Sequence, residues 1–188
     1  MTRRNSKKVI ALEARLRDCS NVITLGVRPN FSDYSLKAAE MIRQAQKIYY
    51  PTTFYAELFD TVGKKTFPSY HTYKCVQDKI KQTALFDLLD IPHPKTRVFY
   101  GKRQKGMIGK YFQFPFIAKI PRGSAMGRGV FLVKNPDDLH RYCSLPNPAY
   151  IQEFMPSDRD VRVVVIGDQI AHAYWRIAPP GEFRSNLA

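Results

Sequence analysis

The chain has 188 residues, 44% of them hydrophobic, and carries 30 lysines and arginines against 16 aspartates and glutamates, a formal net charge of +14. That length can bury a core in one domain or two small ones. No apolar run approaches the roughly 18 residues that span a bilayer, and the basic N-terminus stays charged where a signal peptide is apolar, so the expectation is a cytoplasmic protein with no membrane contact.

The three cysteines, Cys19, Cys75 and Cys143, lie far apart, and the four histidines are scattered, so neither a disulfide framework nor a metal site is expected from them. The positive excess favours polyanions: nucleic acid, nucleotides or acidic peptides. Twelve phenylalanines and eleven tyrosines could add stacking surface for single strands.

In chain order, a basic leader over 1–20 contains apolar residues at helical spacing over 9–16, which predicts a short amphipathic helix or a partly disordered leader. Residues 21–27, NVITLGV, predict a strand. Ser32 or Ser35 can cap a helix whose stripe is Leu36, Ala39, Ile42 and Ala45, and residues 48–50 predict a second strand. This order implies a small α/β layer with a parallel sheet. A short helix over 53–62 and a polar connection over 63–69 follow. A longer helix is predicted over 73–89 with Val76, Ile80, Ala84, Leu85 and Leu88 on its buried side, ending before Pro92 and Pro94. Residues 95–100 predict a strand, and 101–112 a surface helix weakened by Gly106 and Gly109.

Residues 114–133, FPFIAKIPRGSAMGRGVFLV, join two strand-like runs through a short basic loop. Gly123, Gly127 and Gly129 let that loop expose backbone N–H groups, Arg122 and Arg128 bring charge, and Lys119 ends the first strand, so the loop can close over an oligophosphate. It is not a P-loop, because a strand rather than a helix follows it. Asn135 and Pro136 then open a helix to about Cys143, with Asp137 and Asp138 in its first turn. Residues 149–154 predict a strand, and 161–166 and 169–177 an antiparallel pair turning at Gly167 and Asp168.

Several of these pieces, in order, resemble the ATP-grasp superfamily: Asp78-Lys79, FIAKI, the glycine loop, QEF, DVRVVVIGDQIAHAYWR and GEFRSN. Within it the chain is similar to the RimK branch, whose members join glutamate or a similar amino acid to a carboxylate. The resemblance covers roughly 73–186. It implies an α/β (α+β) ATP-grasp fold over 73–188, incomplete at its C-terminal metal-binding part, preceded by a small pre-ATP-grasp α/β domain over 21–72.

For the site, the resemblance implies that Lys79 and Lys119 contact ATP phosphates under the loop of Gly123, Ser124, Gly127 and Gly129. It implies that Gln152, Glu153 and Phe154 form the hinge where adenine sits, with Asp160 near the nucleotide. It also implies that Arg176 and Arg184, with Ser185 and Asn186, surround the transferred phosphate and the acceptor carboxylate. A fork of guanidinium donors suits the charge of an acyl phosphate. The implied cofactors are ATP and Mg2+, with the metal ligands expected beyond Ala188.

The implied reaction activates a small-molecule or peptide carboxylate as an acyl phosphate, which an amine then captures with release of ADP and phosphate. Two other readings stand beside it. One is a non-catalytic basic module that binds nucleic acid. The other is a ligase of the D-alanine ligase or glutathione synthetase type.

Overall fold

The structure is a computed structural model that describes residues 8–124, 128–145 and 148–184. The roles expected for Gly127, Ser185 and Asn186 lie outside the described residues. The chain divides into two compact units, residues 1–76 and 77–188.

In the first unit, strands β1 (Val9–Ala11), β2 (Val22–Thr24), β3 (Lys47–Tyr49) and β4 (Lys65–Phe67) form a wholly parallel sheet in the order β2-β1-β3-β4. Helix α1 (Leu36–Gln44) starts at Ser35, whose hydroxyl accepts from the Ala38 N–H at 3.3 Å. Helix α2 (Thr52–Thr61) and α3 (Tyr70–Val76) follow. The core joins Ile10, Leu12 and Ile48 from the sheet region to Ala39 and Ile42 of α1 and Tyr55 and Phe59 of α2. Leu36, expected in the α1 stripe, is exposed.

Residues 9–16, expected as a helix, are instead β1 followed by a 3₁₀ turn at Ala14–Leu16. β1 lies between β2 and β3, and Ile10, Ala11 and Leu12 are all buried, so the run VIAL is the continuous apolar signature of an inner parallel strand. The unit's sheet thus takes in residues expected in the leader. β4 lies within the connection expected over 63–69. It is a short edge strand whose ends are exposed, so it lacks an apolar signature.

In the second unit, α4 (Lys79–Leu88) precedes β5 (Thr96–Phe99), two short helices α5 (Gly101–Lys105) and α6 (Ile108–Tyr111), β6 (Phe116–Lys119), β7 (Val130–Val133), α7 (Pro136–Cys143) and β8 (Ala149–Glu153). The four strands form an antiparallel sheet in the order β5-β8-β6-β7. One face carries Phe99, Phe116, Ala118, Val133, Ala149 and Ile151 into a core with Ile108, Phe112 and Tyr142. By the two-residue period, Thr96, Ile117, Lys119, Tyr150 and Gln152 share the opposite face. β9 (Arg159–Ile166) and β10 (Gln169–Ile177) make a separate two-stranded ribbon.

The single helix expected over 73–89 is broken. α3 ends at Val76, and Asp78 caps α4 in an extended conformation, its carboxylate accepting from the N–H groups of Ile80 at 3.0 Å and Lys81 at 3.2 Å. Aspartate is a strong N-cap and a poor interior residue, and that preference overrides the apolar spacing. The expected buried side of this helix is largely exposed, at Val76, Leu85 and Leu88. α4 is therefore positioned by its first turn rather than by its apolar stripe. Among the described residues no helix is long and apolar enough to cross a membrane.

Candidate functional site

The sheet face opposite the core meets the first turn of α4, and there the two lysines come together. Lys119, at the end of β6, donates from Nζ to Gln152 Oε1 at 2.6 Å, and Gln152 Nε2 in turn donates to Thr96 Oγ1 at 2.8 Å. Lys79 donates from Nζ to the carbonyls of Ile120 at 3.1 Å and Ser124 at 2.8 Å. Burial pushes the Lys119 ammonium below the ordinary lysine range, and the charge of Lys79 pushes it further. Burial also lowers Lys79, against the opposing pull of Asp78. Two ammonium groups that each resist protonation, one feeling the other's charge, favour an anion between them.

The glycine loop is pinned at both ends over this pair. The Lys79 N–H donates to the Pro121 carbonyl at 2.9 Å, and the Ile120 N–H to the Gly129 carbonyl at 2.7 Å. Ser124 Oγ donates to the Arg128 carbonyl. Gly129 has φ +68°, and a Cβ there would stand 2.6 Å from Ser124 Oγ and 3.0 Å from Ile120 Cβ, so both conformation and space require glycine.

Arg122 does not point to solvent as a free cation. Its Nε donates to Asp78 Oδ2 at 2.9 Å, beside a backbone bridge between the two residues. Burial pushes the Asp78 carboxyl up, but hydrogen bonds from Arg122 and from the N–H groups of Lys81 and Ile80, with the arginine's charge, hold it below the usual carboxylate range. Asp78 thus sets the start of α4, the direction of Lys79 and the entry to the loop at once.

Residues assigned no role from the sequence complete the support. The Tyr142 hydroxyl on α7 donates to the Lys119 carbonyl at 2.6 Å and accepts from the Tyr150 N–H at 3.0 Å, bridging register partners of β6 and β8. Its burial pushes the phenol up to about 12. The Tyr150 hydroxyl pairs with Thr83 Oγ1 of α4 at 2.6 Å, tying that helix to the sheet. These links span 8 to 67 positions in sequence and leave no local signal.

The hinge residues divide between faces. Gln152 lies on the lysine face, whereas Glu153 turns to the other, its Oε1 accepting from the Lys95 N–H at 2.6 Å and its own N–H donating to the Lys95 carbonyl at 2.9 Å. Phe154 is half-buried and lines a cavity of about 400 Å³ with Glu153, Lys95 and Phe112.

Both arginines expected around a transferred phosphate sit on carboxylates. Arg176 and Asp160 are register partners, with bidentate contacts of 2.6 and 2.7 Å. Arg184 grips Glu182 at 3.0 and 2.7 Å, and its hydrogen bond is foremost in lowering that carboxyl to about 2. Among the described residues no group of three or more histidines, cysteines, aspartates or glutamates could hold a metal ion.

The comparisons with known proteins bear on the family and the fold. Residues 76–188 match the RimK-like ATP-grasp domain. The chain is 29% identical over 140 residues to an alpha-aminoadipate–LysW ligase, LysX, of Saccharolobus solfataricus, covering 70% of this chain and 50% of that protein. It is 31% identical over 134 residues to a probable alpha-L-glutamate ligase of Haemophilus influenzae, covering 66% and 43%. The chain thus spans about half the length, or less, of these curated relatives.

Among solved structures, a RimK domain ATP-grasp protein of Sphaerobacter thermophilus superposes with a TM-score of 0.66 at 20% identity, over 93% of this chain and 76% of that one. An N5-carboxyaminoimidazole synthetase of Staphylococcus aureus, complexed with ADP, gives 0.67 at 12%, over 95% and 49%. At those identities the likeness speaks for the fold. With an α/β fold of ATP-grasp type and a family match over more than half of its length, the chain belongs to the RimK-like ATP-grasp family.

Proposed function

We propose that the chain carries the ATP-binding part of a carboxylate-amine ligase. The observation that carries this reading is the convergence of Lys79 and Lys119 beneath a loop pinned at Ile120, Ser124 and Gly129. Two ammonium groups held below the ordinary lysine range beneath a glycine loop fit the phosphates of ATP, whose negative charge favours the protonated form of both. Gln152 fixes Lys119, and the end of β8 at Gln152, Glu153 and Phe154 offers main-chain groups and an aromatic ring to the purine.

In the reaction, a substrate carboxylate oxygen attacks the γ-phosphorus and the bond to the ADP oxygen breaks. An amine then attacks the acyl carbon, releasing phosphate as an amide forms. Arg176, paired with Asp160, and Arg184, paired with Glu182, are the guanidinium groups assigned to the acyl phosphate and carboxylate, together with Ser185 and Asn186. The relatives named as ligases for alpha-aminoadipate and glutamate favour an amino acid as one substrate.

Thermal unfolding with increasing ATP tests the reading. Saturable stabilisation that disappears in Lys119→Ala is the expected result. A response unchanged by that substitution, or no response at all, overturns the assignment.

A further inference from the structure

Between Asp90 and Asp137 the chain has six lysines and four arginines and not one acidic residue. Part of this charge serves the lysine pair and its loop, but the stretch around α5 lies elsewhere. There three cavities adjoin. The first, about 490 Å³, is lined by Arg97, Tyr100, Arg103 and Tyr111 among others. The second, about 470 Å³, shares Tyr100 with it and adds Lys102 and Lys105. The third, about 450 Å³, shares both lysines and adds His140. No residue lining any of the three is acidic.

The cations along this path are not equivalent. Lys105 is spent structurally, its Nζ donating at 2.9 Å to the carbonyls of both Cys143 and Leu145 at the end of α7. Lys102 and Arg103 are exposed. Arg97 is also exposed, and its guanidinium lies 3.9 Å above the centre of the Tyr111 ring. Tyr100, at the junction of two cavities, is 52% exposed, while its N–H is held by Gln104 Oε1 at 2.7 Å. Flat π surfaces on Tyr100 and Arg97, interleaved with point charges, suit alternating bases and phosphates. An acidic peptide uses the charges but leaves the exposed ring without a partner.

We propose that this α5 face binds single-stranded nucleic acid, with Arg97, Lys102 and Arg103 on phosphates and Tyr100 stacking a base. The site is separate from the lysine pair and does not depend on the ligase reading.

The test is fluorescence anisotropy of a labelled 20-nucleotide oligo-U with the whole chain at 50 and 200 mM salt. Duplex of equal length and poly-glutamate serve as competitors. Three phosphate contacts predict an affinity loss of about 10- to 20-fold across that salt range. Lys102→Glu with Arg103→Glu weakens binding about tenfold or more, and Tyr100→Ala about fivefold, rescued by Tyr100→Phe. Lys119→Ala leaves it unchanged. Circular dichroism confirms that each variant is folded.

Absence of saturable binding at 50 mM salt, or binding indifferent to Lys102 and Arg103, overturns the proposal. So does competition by poly-glutamate as strong as by oligo-U, which identifies an acidic-polypeptide surface instead. Equal loss in Lys119→Ala also overturns it, by moving the binding to the nucleotide site.

Discussion

Lys119 carries its charge where its surroundings disfavour one, and that cost is the means by which it recognises an anion. Its pKa is lowered from the ordinary 10.5 by burial and by Lys79. For a lysine lowered in the folded state, the charged form destabilises the fold at every pH below the folded pKa. The penalty fades as pH rises from that pKa towards 10.5. A polyanion between the two ammonium groups reverses the sign, because it binds best while both are protonated. ATP affinity is therefore expected to fall as pH rises through the lowered pKa of Lys119, at a lower pH than an ordinary lysine would set. In Lys119→Arg the guanidinium stays charged, so the fall is smaller and is governed by Lys79 alone. Calorimetric titration of ATP between about pH 7 and pH 10 on both proteins checks this; parallel curves refute it.

At the scale of elements, the site is an assembly of ends: the start of α4, the end of β6 and the two ends of the loop. What was legible in the sequence is what local chemistry dictates. The alternation in β6, the β-branched run of β7, the Asn135-Pro136 start of α7 and the Gly167-Asp168 turn each carry their own signal, and each element stands where it was expected. β1 was misread because a strand buried between two neighbours loses its alternation. The break at Asp78 was hidden because Val76, Ile80 and Ala84 keep helical spacing across it. Lys119 stands out locally, at the strand end beside the glycine loop, but Lys79 is reached only through family resemblance, since forty residues separate the two and nothing local joins them. Tyr142 was invisible for the same reason, yet it holds Lys119 through its carbonyl. Tyr142→Phe strips the buried Lys119 carbonyl and Tyr150 N–H of a shared partner while keeping the ring in the core. The expected cost is about 1–3 kcal/mol in urea unfolding. Nucleotide affinity is expected to fall as well, because the strand end that carries Lys119 loses its tether. A stability loss with unchanged ATP affinity would show that Tyr142 supports only the core.

At the scale of the whole chain, the charge and the β9-β10 ribbon pull in opposite directions. The ribbon leaves Val161, Val163, Val165, Ile170 and Trp175 exposed, and the register sets Val161 opposite Trp175 and Val165 opposite Ile170, so one face is an apolar patch. A two-stranded ribbon is marginal in water unless such a face is covered, and exposed patches of this kind drive association. A net charge of +14 opposes that association by mutual repulsion, which salt screens over roughly 10 Å at 0.1 M. Trp175 is the only tryptophan in the chain and is 62% exposed, so the patch reports on itself. At low salt and micromolar concentration, its emission is expected to be that of a solvated indole, readily quenched by iodide. Raising salt to about 0.5 M should shift the emission to the blue and protect it from acrylamide, in proportion to protein concentration, as ribbon faces meet. Val163→Thr with Ile170→Thr weakens the apolar face without touching Trp175 or the Asp160–Arg176 pair, and should abolish the shift. A blue-shifted, quencher-resistant emission already present at low salt and high dilution would mean that the ribbon face is covered within a single chain.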